Sequence, residues 1–244
     1  MHAVLRILAV GLVFYVVPAA ALDITTCGQV VPIGQAARLV TDLACASGNG
    51  VVLANRTRLY LDGHVLSGSA DASNVVCQGP RCKIVGPGEL VGGHFGVAGS
   101  GKVAISDVTV RDQIRGGIDG LFSVRVRRVT MTGIGFGAPA PSSTEVIRTG
   151  DLRGTDLVVQ NNAGGVSTVD YRLRNALIAD NGGIGIGGPG RGRLSHSIAT
   201  GNLGGPLGMP IDLYAIEQPK LVDTVCDHSY NADNGTSFNI CQLD

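Results

Sequence analysis

A ten-residue frame recurs seven times along this chain, and a repeat of this kind constrains the fold more than any other feature of the sequence. The frames start 25, 19, 21, 28, 19 and 21 residues apart, a period of about 20 residues that is typical of solenoids. They are LYLDGHVLSG from Leu59, IVGPGELVGG from Ile84, VAISDVTVRD from Val103, VRVRRVTMTG from Val124, LRGTDLVVQN from Leu152, YRLRNALIAD from Tyr171 and GRLSHSIATG from Gly192.

Apolar residues occupy the first, third and eighth positions of most frames. The eighth position reads Leu66, Val91, Val110, Met131, Val159, Ile178 and Ala199. Alternation of apolar and polar residues predicts short strands with one buried face, separated by a tight bend at positions four and five. One coil cannot bury its apolar face alone, so we expect the coils to stack as parallel sheets about 4.8 Å apart. The sequence therefore predicts an all-β chain, a right-handed parallel β-helix over residues 50–205. A leucine-rich repeat is disfavoured because valine, isoleucine and glycine, and not leucine, fill the apolar positions of these frames.

Glycine pairs and asparagines follow the frames at fixed positions. The pairs are Gly116 with Gly117, Gly164 with Gly165, Gly182 with Gly183, and Gly204 with Gly205. We expect them to supply the left-handed backbone angles of a corner. The eleventh position holds Asn162, Asn181 and Asn202, which predicts a structural ladder of hydrogen bonds from coil to coil.

The two ends of the chain differ from the repeats. Residues 1–21 have the basic start, short apolar run and small residues of a signal peptide, so we expect the mature chain to be exported with no transmembrane segment. Residues 22–49 are predicted to form a cap or first irregular coil, with either a short helix over Gln29 to Leu43 or irregular structure. Residues 206–244 are predicted to cap the other end, and residues 133–146 to project as a loop.

All six cysteines follow the predicted cleavage point, which favours disulfides in an exported chain. Their positions favour pairs between neighbours: Cys27 with Cys45, Cys77 with Cys82, and Cys226 with Cys241. A metal site is disfavoured because no second pair of suitable spacing lies near Cys77 and Cys82.

The frames over Gly50 to Asn202 resemble the parallel β-helix repeats of the pectin-lyase-like superfamily. The segments CGQVV from Cys27, TDLAC to Cys45, LYLDGHVLSG and VCDHSY, with the late Cys241, resemble a largely uncharacterised exported bacterial subset. This resemblance implies a fold shared by polysaccharide lyases, hydrolases, epimerases, adhesins and structural proteins. Function must therefore be argued from a site.

No convincing catalytic constellation is visible in the sequence. The acidic residues Asp62, Glu89, Asp107, Asp112, Asp156 and Asp180 occupy different frame positions, so they are not expected to converge. The one candidate pair is His64 with Glu89 at position six, with His94 nearby, and a hydrogen-bonded turn is the more ordinary interpretation. His196 is expected on the surface. We predict no cofactor and no metal.

Arginine occupies position two in four consecutive coils, as Arg125, Arg153, Arg172 and Arg193. Stacked arginines repel one another unless an anion lies across them. We therefore hypothesise that these residues bind an acidic polysaccharide. The alternative is a solvated face that is neutralised by the neighbouring ladder of Asp107, Arg128 and Asp156. Nucleic acid is disfavoured because no aromatic residues alternate with the arginines.

From the sequence we expect an exported, non-catalytic β-helix that acts as a structural or surface-binding module. The alternative is a carbohydrate-active enzyme, either a polysaccharide lyase or a glycoside hydrolase, on the same fold.

Overall fold

Twenty-three strands follow one another along the chain in the computed structural model, which describes residues 21–136, 145–204 and 209–244. They stack as a parallel β-solenoid of about eight turns, and the described residues contain no helix. The predicted all-β solenoid is confirmed.

Nearly all of the predicted signal peptide lies outside the described residues, as do residues 137–144 of the predicted loop. None of the described residues forms a helix long and apolar enough to cross a membrane.

Each coil contributes strands to three parallel faces, which we call faces A, B and C. Face A contains β1 Leu22–Ile24, β3 Ala36–Leu39, β6 Thr57–Tyr60, β9 Arg81–Val85, β18 Gly192–Ser195 and β21 Lys220–Val222. Four long strands bend around the corners and contribute to more than one face: β12 Lys102–Arg111, β13 Gly116–Thr132, β14 Ile147–Gln160 and β15 Val166–Arg174.

The other two faces follow face A in each coil. Face B contains β4 Leu43–Ala44, β7 Val65–Ser67, β10 Glu89–Val91, β16 Leu177–Ala179, β19 Ile198–Thr200 and β22 Val225–Cys226. Face C contains β2 Gln29–Val31, β5 Val51–Leu53, β8 Val75–Cys77, β11 Phe95–Gly99, β17 Ile186–Gly188, β20 Leu213–Ala215 and β23 Ser229–Asn231.

The predicted register holds from the third frame onward. Val103, Val124, Leu152, Tyr171 and Gly192 lie directly opposite one another in successive coils. In the eighth position Leu66, Val110, Met131, Val159, Ile178 and Ala199 are all buried. The apolar positions therefore form continuous ladders through one core, as the alternation predicts.

The first two frames start two residues too late. Leu59 and Ile84 lie opposite Ile105, the third position of the next frame, and not opposite Val103. The bends after them are longer, so that Leu90, and not Val91, occupies the eighth position of the second frame. The apolar spacing alone does not reveal these longer bends.

The tight bend between faces A and B is confirmed at position five. Asp107, Arg128, Asp156, Asn175 and His196 occupy it in consecutive coils, and all have positive φ between 48° and 61°. Asp and Asn tolerate this left-handed conformation better than other residues with a side chain. This conformation accounts for part of the acidic content of the corners.

The role predicted for the glycine pairs is wrong for those that the structure describes, and Gly205 lies outside the described residues. None of Gly116, Gly117, Gly182 and Gly183 has a positive φ, and the same is true of Gly165. Instead, a Cβ at Gly165 would lie 1.5 Å from the Ile184 carbonyl oxygen of the next coil. The glycines are required because adjacent coils approach closely at this corner.

The asparagine ladder is confirmed. The Nδ2 of Asn162 donates to Oδ1 of Asn181 at 2.9 Å, and the Nδ2 of Asn181 donates to Oδ1 of Asn202 at 2.8 Å. The ladder ends on the buried carboxylate of Asp212, which accepts from Nδ2 of Asn202 at 2.7 Å. Burial removes water from these amides, so each depends on its neighbour for its hydrogen bonds.

Both predicted end segments contribute strands to the stack. Gln29 to Leu43 form strands and bends of a first coil rather than a helix. Near the other end, Lys220 and Leu221 pair in register with Arg193 and Leu194. The stacked coils therefore continue at both ends of the chain beyond the region in which the ten-residue frame can be recognised in the sequence.

Two of the three predicted disulfides are present, Cys27–Cys45 in the first coil and Cys226–Cys241 at the carboxyl-terminal end. The third prediction is wrong, because Cys77 and Cys82 are buried free thiols, and the Cys82 thiol donates to the Leu53 carbonyl oxygen at 3.8 Å. The neighbouring Cys82 thiol, together with burial, raises the pKa of the Cys77 thiol. Each disulfide joins an end segment to the stack, where fraying of the terminal coil would otherwise begin.

Candidate functional site

The four predicted arginines form one straight ladder on the outside of face A. Arg125 lies opposite Arg153, Arg153 opposite Arg172, and Arg172 opposite Arg193. All four side chains are exposed because they alternate with the buried apolar positions of the same strands. Successive guanidinium groups therefore project from the same surface at the spacing of the coils.

The row of strand positions that holds the four arginines carries further cations that the sequence analysis does not identify. Lys220 lies opposite Arg193 at one end. Toward the other end the same row continues through Ala104 to Lys83 and Arg58. The two-residue offset of the first frames concealed Arg58 and Lys83, and the loss of a recognisable frame after residue 206 concealed Lys220.

Face A carries most of the positive charge of the described chain. The sequence has 19 Lys and Arg residues, of which Arg6 precedes the described residues, and twelve of the other 18 are exposed on strands of face A. Within the segments of these strands that belong to face A, the acidic residues are Asp23, Asp151 and Asp170, whereas Asp107 and Asp156 lie at the corner and Asp119 on face C. The twelve cations are Arg38, Arg58, Arg81, Lys83, Lys102, Arg125, Arg127, Arg153, Arg172, Arg174, Arg193 and Lys220.

Few of these cations are neutralised by the protein itself. Among the described residues, their ion pairs are limited to Arg38 with Asp23 at 2.8 Å and Arg153 with Asp151 at 3.0 Å. Arg125, Arg172 and Arg193 have no carboxylate partner in the described parts of the chain. The formal charge of the whole sequence is zero, so stacking produces a strongly basic face from a balanced composition.

The neighbouring ladder at the corner, Asp107, Arg128 and Asp156, does not neutralise the arginines, because its carboxylates bind other partners. Arg128 donates to Asp107, and this hydrogen bond lowers the pKa of the Asp107 carboxyl group. Asp156 accepts from Asn175 at 3.0 Å, a contact that likewise lowers the pKa of Asp156. Neither carboxylate forms an ion pair with the arginine ladder, so the basic character of face A remains.

A shallow depression of about 540 Å³ lies over the carboxyl-terminal half of the ladder. Its lining includes Arg153, Arg172, Arg174 and Arg193, with His196 at the corner. The predicted surface position of His196 is confirmed, and its Nδ1 lies 3.4 Å from Oδ2 of Asp223. The depression spans three successive coils of the ladder, those of Arg153, Arg172 and Arg193.

His64 and Glu89, the candidate general base and its carboxylate partner, are not in contact. Nδ1 of His64 lies 3.2 Å from Oδ1 of Asp42, whereas Glu89 accepts from Nε of Arg111 at 2.9 Å. Nδ1 of His94 lies 3.0 Å from the Ala70 carbonyl oxygen. The longer first bend displaces His64 by one place, so that Val65 lies opposite Glu89. These side chains make local structural contacts.

Asp151 and Asp170 are the two carboxylates that face A stacks in register. Each already has protein partners. Asp151 accepts from Ser123 and Arg153, and Asp170 accepts from the backbone N–H of Arg191 at 2.7 Å. No group of three or more His, Cys, Asp or Glu residues that could hold a metal ion occurs in residues 21–136, 145–204 and 209–244.

Comparison of the chain with protein-family models, with curated proteins and with solved structures yields no match. The geometry of face A therefore carries the functional interpretation.

Proposed function

We propose that this chain is an exported, non-catalytic β-helix protein of the pectin-lyase-like type that binds an acidic polysaccharide along face A. The proposal rests on one observation, the in-register ladder of Arg125, Arg153, Arg172 and Arg193, most of which lacks a carboxylate partner within the described chain.

Electrostatics favours an anionic ligand at this surface. Two like charges about 4 Å apart in water repel by about 1 kcal/mol, and each added coil repeats this cost. A polymer with one carboxylate on each residue replaces these repulsions with attractions. Guanidinium groups also bind carboxylates through two parallel hydrogen bonds, which a lysine ladder could not do.

The shape of the surface favours a linear ligand. The cations repeat along the solenoid axis, and one depression is lined by Arg153, Arg172 and Arg193 from three successive coils. An extended glycan can place successive acidic groups over successive coils. A small anion would engage only one or two rungs and would leave the others unpaired.

Retention on immobilised polygalacturonate, a 1,4-linked polyuronate, tests the proposal. Replacing Arg153 and Arg172 with serine is expected to lower the affinity at least about tenfold, because each lost charge-assisted hydrogen bond contributes about 1.5–3 kcal/mol. Both side chains are exposed, so thermal stability is expected to change little.

A charge-matched control replaces Arg115 and Arg148 with serine, since both are exposed and lie outside face A. This variant should retain most of the affinity. Equal losses in the two variants would show that only net charge matters, and failure of the unmodified chain to bind at low ionic strength would refute the proposal. Appearance of unsaturated or new reducing ends in the glycan would instead favour the enzyme.

A further inference from the structure

A second cluster of cations lies toward the amino-terminal end of face A, away from the four-arginine ladder. Arg56, Arg58, Arg81 and Lys83 line a depression of about 390 Å³ around Thr57. We call it the amino-terminal basic depression. Ala104 follows Lys83 in the row and interrupts the cations before Arg125.

The four cations of this depression have no carboxylate partner in the described parts of the chain. Arg58 lies opposite Lys83 in adjacent coils, so the two charges are held at strand spacing. The Arg58 Nη1 donates to the Tyr60 hydroxyl at 2.8 Å, and its guanidinium carbon lies 5.8 Å from the centre of the Tyr60 ring. Tyr60 thus restricts the orientation of Arg58 without neutralising it.

The backbone of Arg56 adds an independent observation. Arg56 has a φ of 58°, and nine of the twelve non-glycine residues with positive φ in the described parts of the chain are Asp or Asn. The other three are Arg56, Arg128 and His196. Arg128 pairs with Asp107, and His196 pairs with Asp223. Arg56 alone combines this unfavourable conformation with a charge that has no acidic partner among the described residues. An arginine here costs stability that asparagine would not, which points to a role for its guanidinium.

We propose that the amino-terminal basic depression binds a phosphate group that carries two negative charges. Four uncompensated cations around one depression favour a compact polyvalent anion over a single carboxylate. The site lies on the same face but shares no residue with the four arginines of the proposed polysaccharide site, and its ligand differs, so it does not depend on the polysaccharide proposal.

Isothermal titration of the purified chain with inorganic phosphate at low ionic strength and pH 7.5 tests this site. Replacing Arg58 and Lys83 with glutamine is expected to weaken phosphate binding about tenfold or more. The charge-matched control, with Arg172 and Arg193 replaced by glutamine, is expected to change it by less than about twofold. Arg56→Asn should weaken binding while raising the melting temperature, because asparagine tolerates positive φ.

Glucose 6-phosphate distinguishes the source of the phosphate. Binding of this monoester shows that phosphate attached to a larger molecule is accepted, whereas binding of inorganic phosphate alone restricts the site to the free ion. Either result supports the site. Equal weakening by both glutamine variants, acetate binding as strong as phosphate binding, or no phosphate binding would overturn it.

Discussion

Replacing Asn181 with alanine is expected to lower the free energy of unfolding by about 3–5 kcal/mol. The Asn181 side chain is fully buried, its Oδ1 accepts two hydrogen bonds from Asn162, and its Nδ2 donates to Asn202 and to the Val159 carbonyl oxygen. Alanine removes all four hydrogen bonds to the two adjacent coils and leaves the buried backbone N–H of Asn162 without its acceptor. Chemical denaturation followed by far-ultraviolet circular dichroism measures the change.

Gln160→Ala is the matched control, since it removes an amide from the outside of face B in the same part of the solenoid. Gln160 is only partly buried and makes no side-chain hydrogen bond within the described residues. Its replacement should change the free energy of unfolding by less than about 0.5 kcal/mol. Similar values for the two variants would mean that the amide ladder does not stabilise the stack.

Gly165→Ala is expected to destabilise the fold by about 3 kcal/mol or more. The added Cβ would lie 1.5 Å from the Ile184 carbonyl oxygen and 2.8 Å from that of Gly185. Because the obstructing atoms belong to backbone, relief requires two coils to separate. The thermal unfolding midpoint and the yield of folded protein report the effect.

Gly187→Ala provides the control for this substitution, because its added Cβ would make only ordinary contacts of 3.4 Å and longer. Gly187 also lacks a positive φ. A small effect at Gly187 with a large one at Gly165 would show that close approach of coils, rather than the general stiffening of the chain, makes glycine necessary. A stable Gly165→Ala variant would contradict the stacking at this corner.

The architecture could be predicted from sequence because the solenoid repeats one local pattern. Alternating apolar residues such as Val124 and Val126 identify strands. Because the coils stack, the same alternation recurs in each frame and supports the assignment of the others. The arginine ladder followed from the same logic. Its register from Arg125 to Arg193 holds although these arginines are 28, 19 and 21 residues apart, because the bend within each of these frames has the same length.

The missed features depend on distances that the pattern does not contain. Bends of different length hid Arg58 and Lys83, because Leu59 and Ile84 are apolar whether they occupy the first or the third position. The role of Gly165 depends on the approach of a neighbouring backbone, which composition does not show. The short separation of Cys77 and Cys82 in sequence permitted a disulfide, yet both are buried free thiols in the structure.

Stacking in register is the claim on which the basic face and both proposed sites depend, and a distance between spin labels tests it directly. Labels on Arg58→Cys and Arg193→Cys lie six coils apart in one row, and the native free thiols Cys77 and Cys82 are buried. A coil spacing of about 4.8 Å predicts one narrow distance distribution centred near about 29 Å. A broad distribution, or a narrow one displaced by more than about 10 Å, would contradict the stacked row.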